Sequence, residues 1–238
     1  MPFAHIDTAG IARALDHVAD RPTDQADVYL ERKEIVELPP EDETPGLRVW
    51  REMGLAVRLV RDNETWIASR DRIDTETFHQ ALRRVVRATP QTPYRRPELR
   101  MLPWRDAADA EEVLAFPGLV RRALRTRGVR VGHRLTVQRH RRWVKVVGPQ
   151  LAGALAREHF YALRVQLPWR AGDWGLLTPQ LDDDAAERAA QAIAVAHAAR
   201  DALPPQAGSN RPIVLAPAAT AVLLHETVAH ALEVDTLA

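Results

Sequence analysis

The sequence of 238 residues contains no cysteine. Disulfide bonds are therefore excluded, and so is any metal site in which this chain supplies a thiolate. Lysine is almost absent too, since only Lys33 and Lys145 accompany the arginines among 33 basic residues. This bias, with the abundant alanine, is typical of a GC-rich genome and indicates no function.

Long apolar segments are also lacking. No run approaches the ~20 residues that a helix needs to cross a bilayer, and the first 20 residues have no apolar centre of signal-peptide type. We therefore expect a cytoplasmic protein. The net charge of +1 gives no reason to expect a polyanionic partner. With 46% hydrophobic and 27% charged residues, the composition is that of an ordinary globular protein.

Hydrophobic periodicity predicts a small α+β unit in the first part of the chain. The pattern indicates a helix at 7–19, a strand at 26–38, two strand-like arms within 47–69 joined at the turn "RDNE", and a helix at 74–88. Four prolines without periodicity follow and predict a linker at 89–104.

The second part is less regular. The pattern predicts a helix at 118–128, two strands around a basic loop at 129–148, a strand at 159–169, a loop at 170–179, a helix at 182–203 and a helix from Pro217 to about Asp235. No internal repeat is evident. We predict the α+β class, with an N-terminal α+β domain at 1–95. The start of a β-rich domain, carrying the alanine-rich helix and the last helix, follows at 105–238.

The last helix contains the sequence HExxxH. A zinc peptidase needs two imidazoles to hold the metal and a carboxylate beside the attacking water. His225 and His230 are five residues apart, which places them about 140° around an ideal helix. A single π-type turn pairs residues five apart and would bring both rings to one side. Glu226 then stands where the general base would be, and Glu233 could orient an imidazole.

Other roles for these residues stay open, because HExxxH without context is a weak pattern. The two histidines could be solvated or cap the helix. The apolar residues "AVLL" before His225 nevertheless predict a buried helix, and buried histidines and carboxylates need partners. A metal ion would be one such partner.

The stretch "RPIVLAPAATAVLLHETVAHALEVD" resembles the signature of the TldD/PmbA metalloprotease family, in which a proline-started helix leads into HExxxH and Leu-Glu-x-Asp. The segments 10–88 and 182–203 also resemble that family, whereas 105–180 do not. The resemblance implies a zinc-dependent peptidase that acts on unfolded or modified peptides, as a homo- or heterodimer of related subunits. It makes His225 and His230 the zinc ligands and Glu226 the catalytic base.

The sequence departs from the family pattern in three respects. Ala229 stands where members usually have glycine. Family chains continue well past the motif, whereas this sequence stops eight residues after His230. The resemblance also implies a cysteine as third metal ligand, which this chain lacks. We therefore expect a fragment, a split subunit whose partner completes the site, or an incomplete site. The two histidines alone are expected to bind zinc weakly.

Two alternatives belong to other classes. A non-catalytic subunit would assemble with a longer relative and bind no metal. Residues 121–145 hold ten basic residues and no acid, which could form a nucleic-acid patch around Arg139, Arg141 and Arg142. A solvated face of a β-hairpin is the interpretation that we favour for this segment, so a nucleic-acid partner is not expected.

Overall fold

The computed structural model describes residues 3, 5–43, 46–89, 110–149, 153–168 and 173–198, together with Thr220 and Leu224. The chain divides into two compact units, residues 1–200 and 201–238. The first unit contains helices α1 (Thr8–Val18), α2 (Thr75–Ala88), α3 (Glu111–Thr126) and α4 (Asp183–Ala198) and strands β1 (Gln25–Leu38), β2 (Arg48–Arg61), β3 (Glu64–Arg70), β4 (Arg134–Val147), β5 (Ala154–Gln166) and β6 (Asp173–Thr178).

The six strands form one antiparallel sheet in the order β3-β2-β1-β4-β5-β6. Every second residue of β1 from Ala26 to Val36 is buried, because alternate side chains of a strand point to opposite faces. Helices and an antiparallel sheet confirm the α+β class.

The described helices pack on a single face of the sheet and bury two hydrophobic clusters there. One cluster joins α1 and α2 to β1, β2 and β3, around Leu15, Leu30 and Phe78. The other joins α3 and α4 to β4 and β5, around Phe116 and Leu163. The described part of the chain is thus a two-layer structure with one covered and one uncovered sheet face.

The structure contains an internal repeat that the sequence does not reveal. The series helix, three antiparallel strands, helix occurs as α1-β1-β2-β3-α2 and again as α3-β4-β5-β6-α4. Asp74 caps α2 by accepting a hydrogen bond from Thr77 N at 2.7 Å, and Asp182 caps α4 by accepting one from Ala185 N at 2.9 Å. The two halves meet at β1 and β4, in the middle of the sheet.

The helices and the first hairpin agree with most of the sequence predictions. The turn within "RDNE" is confirmed, with Asp62 and Asn63 at φ angles of 52° and 63°. Such left-handed values favour Asn and Asp in tight hairpin turns. The predicted helix at 182–203 is confirmed as far as Ala198, since the residues that follow lie outside the described part.

Two predictions in the second half were wrong, and a third, the helix at 118–128, was confirmed as far as Thr126 with an earlier start. Residues 134–147 form one continuous strand instead of two around a basic loop, because ion pairs with Glu34 and Glu112 hold the buried Arg139 within the strand. The loop predicted at 170–179 contains strand β6. Helix α3 begins at Glu111 instead of residue 118, with Pro117 inside it.

The linker predicted at 89–104 lies almost wholly outside the described residues. The single sheet contains strands from both sides of it, and the division into domains at 1–95 and 105–238 stays a prediction. Among the described residues, no helix is both long and apolar enough to span a bilayer.

Candidate functional site

The residues of the HExxxH site lie outside the described part of the chain. This holds for His225, Glu226, His230 and Glu233 alike. Thr220 and Leu224 are described, and both are helical, as the sequence predicts for this stretch. Leu224 is 55% exposed, so the burial predicted for the apolar residues before His225 is wrong at that position.

The described residues form no group of three His, Asp or Glu side chains that could hold a metal ion. The zinc ligands that the resemblance implies, His225 and His230, lie outside this part of the chain. Imidazole and carboxylate side chains are common zinc ligands in proteins. The chain has no cysteine that could add a thiolate ligand.

Half of the ten basic residues in segment 121–145 are paired with carboxylates, which argues against the nucleic-acid patch. Arg142, one of its predicted contact residues, donates to Glu31 at 2.5 Å and to Glu158 at 3.3 Å. Arg139 is fully buried in ion pairs. The other paired arginines of the segment are Arg121 with Glu41, Arg127 with Glu187, and Arg134 with Asp42 and Glu43.

A charged cluster crosses the covered face of the sheet between the two hydrophobic clusters. Arg139 has no exposed side-chain surface and donates to Glu112 at 2.6 Å and to Glu34 at 3.3 Å. Glu34, with 3% of its side chain exposed, also accepts from Arg51 at 3.1 Å. The charges alternate in sign, so the cluster is neutral overall and favours a structural role.

Two residues at the edge of this cluster have altered acidity. Burial alone would raise the pKa of Glu112, but hydrogen bonds from Arg139 and other groups hold it below its usual value. Burial and the neighbouring Glu112 carboxylate raise the pKa of Tyr161, whose hydroxyl donates to Glu112 at 3.3 Å. Glu112 is thus held ionised and Tyr161 protonated at neutral pH.

The uncovered face of the sheet, here called the open face, carries a row of four large side chains across four neighbouring strands. Ile35 of β1 lies directly opposite Trp50 of β2 and His140 of β4, and His140 lies opposite Phe160 of β5. The rings of His140 and Phe160 are stacked, with centroids 4.7 Å apart and an interplanar angle of 6°. We call this set row 35.

The charge state of His140 follows from its place in row 35. Burial and the nearby positive charge of Lys33 both lower the pKa of His140. Its Nε2 atom lies 3.0 Å from Oε1 of Gln138. The ring is therefore neutral at pH 7, and it can stack on Phe160 without the cost of a buried charge.

Two polar rows flank row 35 on the open face. Row 33 comprises Glu52, Lys33, Arg142 and Glu158, in the order β2-β1-β4-β5. Row 37 comprises, in the same order, Arg48, Glu37, Gln138 and Ala162. A cavity of about 760 Å³ lies on this face beside row 37.

Sequence reasoning missed both the charged cluster and row 35. Arg32 and Glu34 occupy positions of β1 that face the core. Charged residues at these positions interrupt the apolar alternation, so the sequence pattern does not show that they are buried. Row 35 depends on pairing between strands far apart in sequence, and only the register of the sheet shows it.

The sequence matches no protein-family model and no curated protein. Solved structures share part of its fold. A protein from Bacteroides thetaiotaomicron, described as a candidate modulator of DNA gyrase, is 11% identical, with a TM-score of 0.47 over 79% of this chain and 49% of its own. A protein from Thermotoga maritima with the same description is 11% identical, with a TM-score of 0.44 over 77% of this chain and 46% of its own.

TldE from Thermococcus kodakarensis is 14% identical, with a TM-score of 0.44 over 78% of this chain and 47% of its own. The chain therefore spans about half the length of these solved structures. Likeness at this level concerns the fold alone and assigns no activity.

Proposed function

We propose that this chain is a zinc-dependent metallopeptidase of the TldD/PmbA type, or one part of such an enzyme, and that it hydrolyses peptide bonds in unfolded or modified peptides of the cytoplasm. The observation that carries the proposal is the sequence from Arg211 to Asp235. It combines a proline-started helix with HExxxH and the following Leu-Glu-x-Asp, in the order that the resemblance requires.

Each motif residue has a distinct role in this proposal. His225 and His230 hold the zinc ion, which acts as a Lewis acid when bound. Glu226 accepts a proton from the attacking water and passes it to the leaving amine. Glu233 positions an imidazole by hydrogen bonding.

The chain is expected to bind zinc weakly by itself. Structural and catalytic zinc sites usually have three or four protein ligands, and the cysteine that the resemblance implies is absent. A related subunit that carries this cysteine would then supply the remaining ligand in a heterodimer, whereas a homodimer would have to use another side chain. Activity is therefore expected to require that partner.

Zinc content tests the ligand assignment. Purified chain equilibrated with zinc should retain metal above the level of a His225→Ala or His230→Ala variant, as measured by inductively coupled plasma mass spectrometry. His17→Ala is the matched control, because His17 is an exposed histidine on α1 and should leave zinc content unchanged. Equal metal in all four proteins would refute the assignment.

Glu226→Gln separates binding from catalysis. In complex with the related subunit, this variant should keep its zinc but lose hydrolysis of a fluorescently labelled unfolded polypeptide by about 100-fold or more, since general-base catalysis contributes about that much. Undiminished hydrolysis by Glu226→Gln would exclude Glu226 as the base.

A non-catalytic assembly subunit is the second candidate, and the absence of cysteine favours it. In that case the purified chain should bind no zinc and still form a stable complex with a longer, cysteine-bearing relative. Metal that remains bound to the isolated chain and depends on His225 would exclude this alternative.

A further inference from the structure

The open face is not covered by any of the described helices. Its residues within β1, β2, β4 and β5 are all at least partly exposed, whereas the opposite face packs against helices. Row 35 lies on this face, and Trp50 within it is 44% exposed. Contiguous large side chains framed by polar residues are typical of an interaction surface.

On β1 and β2, the two rows that flank row 35 carry opposite charges. On β2, Glu52 lies on one side and Arg48 on the other. On β1, Lys33 and Glu37 are placed in the same way. On β4 and β5, the charged Arg142 and Glu158 of row 33 match the uncharged Gln138 and Ala162 of row 37.

This arrangement is self-complementary. A two-fold axis along row 35 would lay row 33 of one copy over row 37 of another, because such a rotation exchanges the two sides of the axis. Glu52 would then face Arg48 of the second copy, and Lys33 would face Glu37 of the second copy. Like charges do not meet anywhere in the three rows.

We propose that the open face is a docking surface for a second copy of this chain, with row 35 at its centre and rows 33 and 37 in crossed ionic contact. This inference does not depend on the proposed peptidase activity. Apolar and aromatic side chains at the centre with charged residues around them match the usual anatomy of a protein interface.

The charges of the open face disfavour a nucleic acid as occupant. Lys33 lies 3.6 Å from Glu52, and Arg48 lies 3.2 Å from Glu37. Arg142 contacts Glu158 from the same row. A phosphate backbone would therefore meet carboxylates beside each of these cations, and release of counterions would give little affinity.

The expected dimer is weak. The contact would extend about three residues to either side of row 35 along each of the four strands. With the usual rise per residue and spacing between strands, it measures roughly 24 Å by 19 Å. Such a contact lies at the low end of specific interfaces. Association should therefore depend on concentration, with charge complementarity deciding which orientation forms.

Sedimentation of the full chain at concentrations up to about 1 mM tests the proposal. The wild type should show a monomer–dimer equilibrium. Trp50→Asp, Lys33→Glu and Glu37→Lys should each raise the dissociation constant about tenfold or more. Arg188→Glu is the control, because Arg188 is an exposed residue of α4 away from the open face, and it should leave the equilibrium unchanged.

Mixing two variants gives the sharpest readout. Lys33→Glu and Glu37→Lys chains, each monomeric alone, should form a mixed dimer. In that dimer the two new residues meet at one contact and the two original residues meet at the other. Mixing cannot repair damage confined within one chain, so a recovered dimer identifies the contact between chains.

Several results would overturn the proposal. These are a monomer at every concentration, a dimer that Trp50→Asp does not weaken, or variants that stay apart when mixed. A monomer whose tryptophan fluorescence responds to a single-stranded oligonucleotide would assign the face to a nucleic acid instead. If Lys33→Glu does not fold, the Trp50→Asp result decides alone.

Discussion

Replacement of Arg139 by methionine removes a fully buried cation of the charged cluster. In the wild type, its guanidinium lies between Glu112 and Glu34. Methionine keeps a long unbranched side chain but leaves Glu34, with only 3% of its side chain exposed, without its buried partner.

Removal of one member of a buried ion pair typically costs about 3–5 kcal/mol of unfolding free energy. The lower end is expected here, about 3 kcal/mol, because Arg51 still contacts Glu34 at 3.1 Å and Glu112 can reach water. With a urea m-value of about 2–3 kcal/mol/M, the unfolding midpoint should fall by roughly 1–1.5 M.

Urea denaturation of the double variant Glu34→Met/Arg139→Met completes the argument. Both buried charges are then absent, and the remaining charges of Arg51 and Glu112 are partly exposed and can be solvated. The double variant should therefore lie within about 1 kcal/mol of the wild type, far from the sum of the single changes.

Arg127→Met is the matched control, because the Arg127–Glu187 pair is exposed. Its effect on the unfolding free energy should stay below about 1 kcal/mol. The reasoning fails if Arg139→Met costs no more than this control. It also fails if the double variant is as unstable as the two single effects added together.

Two further predictions concern Glu112 and the helix caps. Burial tends to raise the pKa of Glu112, but the hydrogen bond from Arg139 and other contacts leave it below 4.5. The ionised Glu112 therefore contributes its full stabilisation of the folded state above pH 4.5. This contribution is lost as the pH falls through the lower pKa of the folded state. The difference in urea midpoint between wild type and Glu112→Gln should therefore narrow on acidification, and a constant difference would refute this. Asp74→Ala and Asp182→Ala should each cost about 1 kcal/mol in thermal unfolding, and a loss at only one site would show that the caps are not equivalent.

The first half of the fold was predictable because its local signals agree with its tertiary structure. Residues 75–88 have helical periodicity, an Asp74 cap and buried Phe78 and Leu82 on one side. In the strand predicted at 26–38, buried and partly exposed residues alternate along the chain. In both segments the apolar pattern alone sets which side faces the core.

The second half was harder because long-range contacts override its local signals. The arginines near residue 139 suggest a loop, but Glu34 and Glu112, distant in sequence, hold Arg139 inside a strand. Gly175 suggests a loop as well, yet it pairs with Arg164 at the sheet edge. Pro117 suggests a helix start, although α3 already began at Glu111.

The buried ion pair and the open face are linked through the register of β1 and β4. A slip of two residues in one direction would place Arg141 opposite Arg32 on the covered face. A slip in the other direction would move Arg139 opposite Leu38, away from Glu34. The first slip would set two cations against each other, although it would also bring Arg139 opposite Glu34. The second slip would separate Arg139 from Glu34. Charge pairing in the covered layer therefore disfavours both slips, and the Arg139–Glu34 pair itself opposes the second.

The same register is what aligns row 35 on the opposite face. Ile35 lies between Trp50 and His140 only when Glu34 lies opposite Arg141 and near Arg139. A charge pair that adds little net stability can thus have been retained because it opposes one of the two slips that would change which side chains the open face presents. On this argument the double variant without the pair, although stable, should dimerise less well than the wild type in the sedimentation assay.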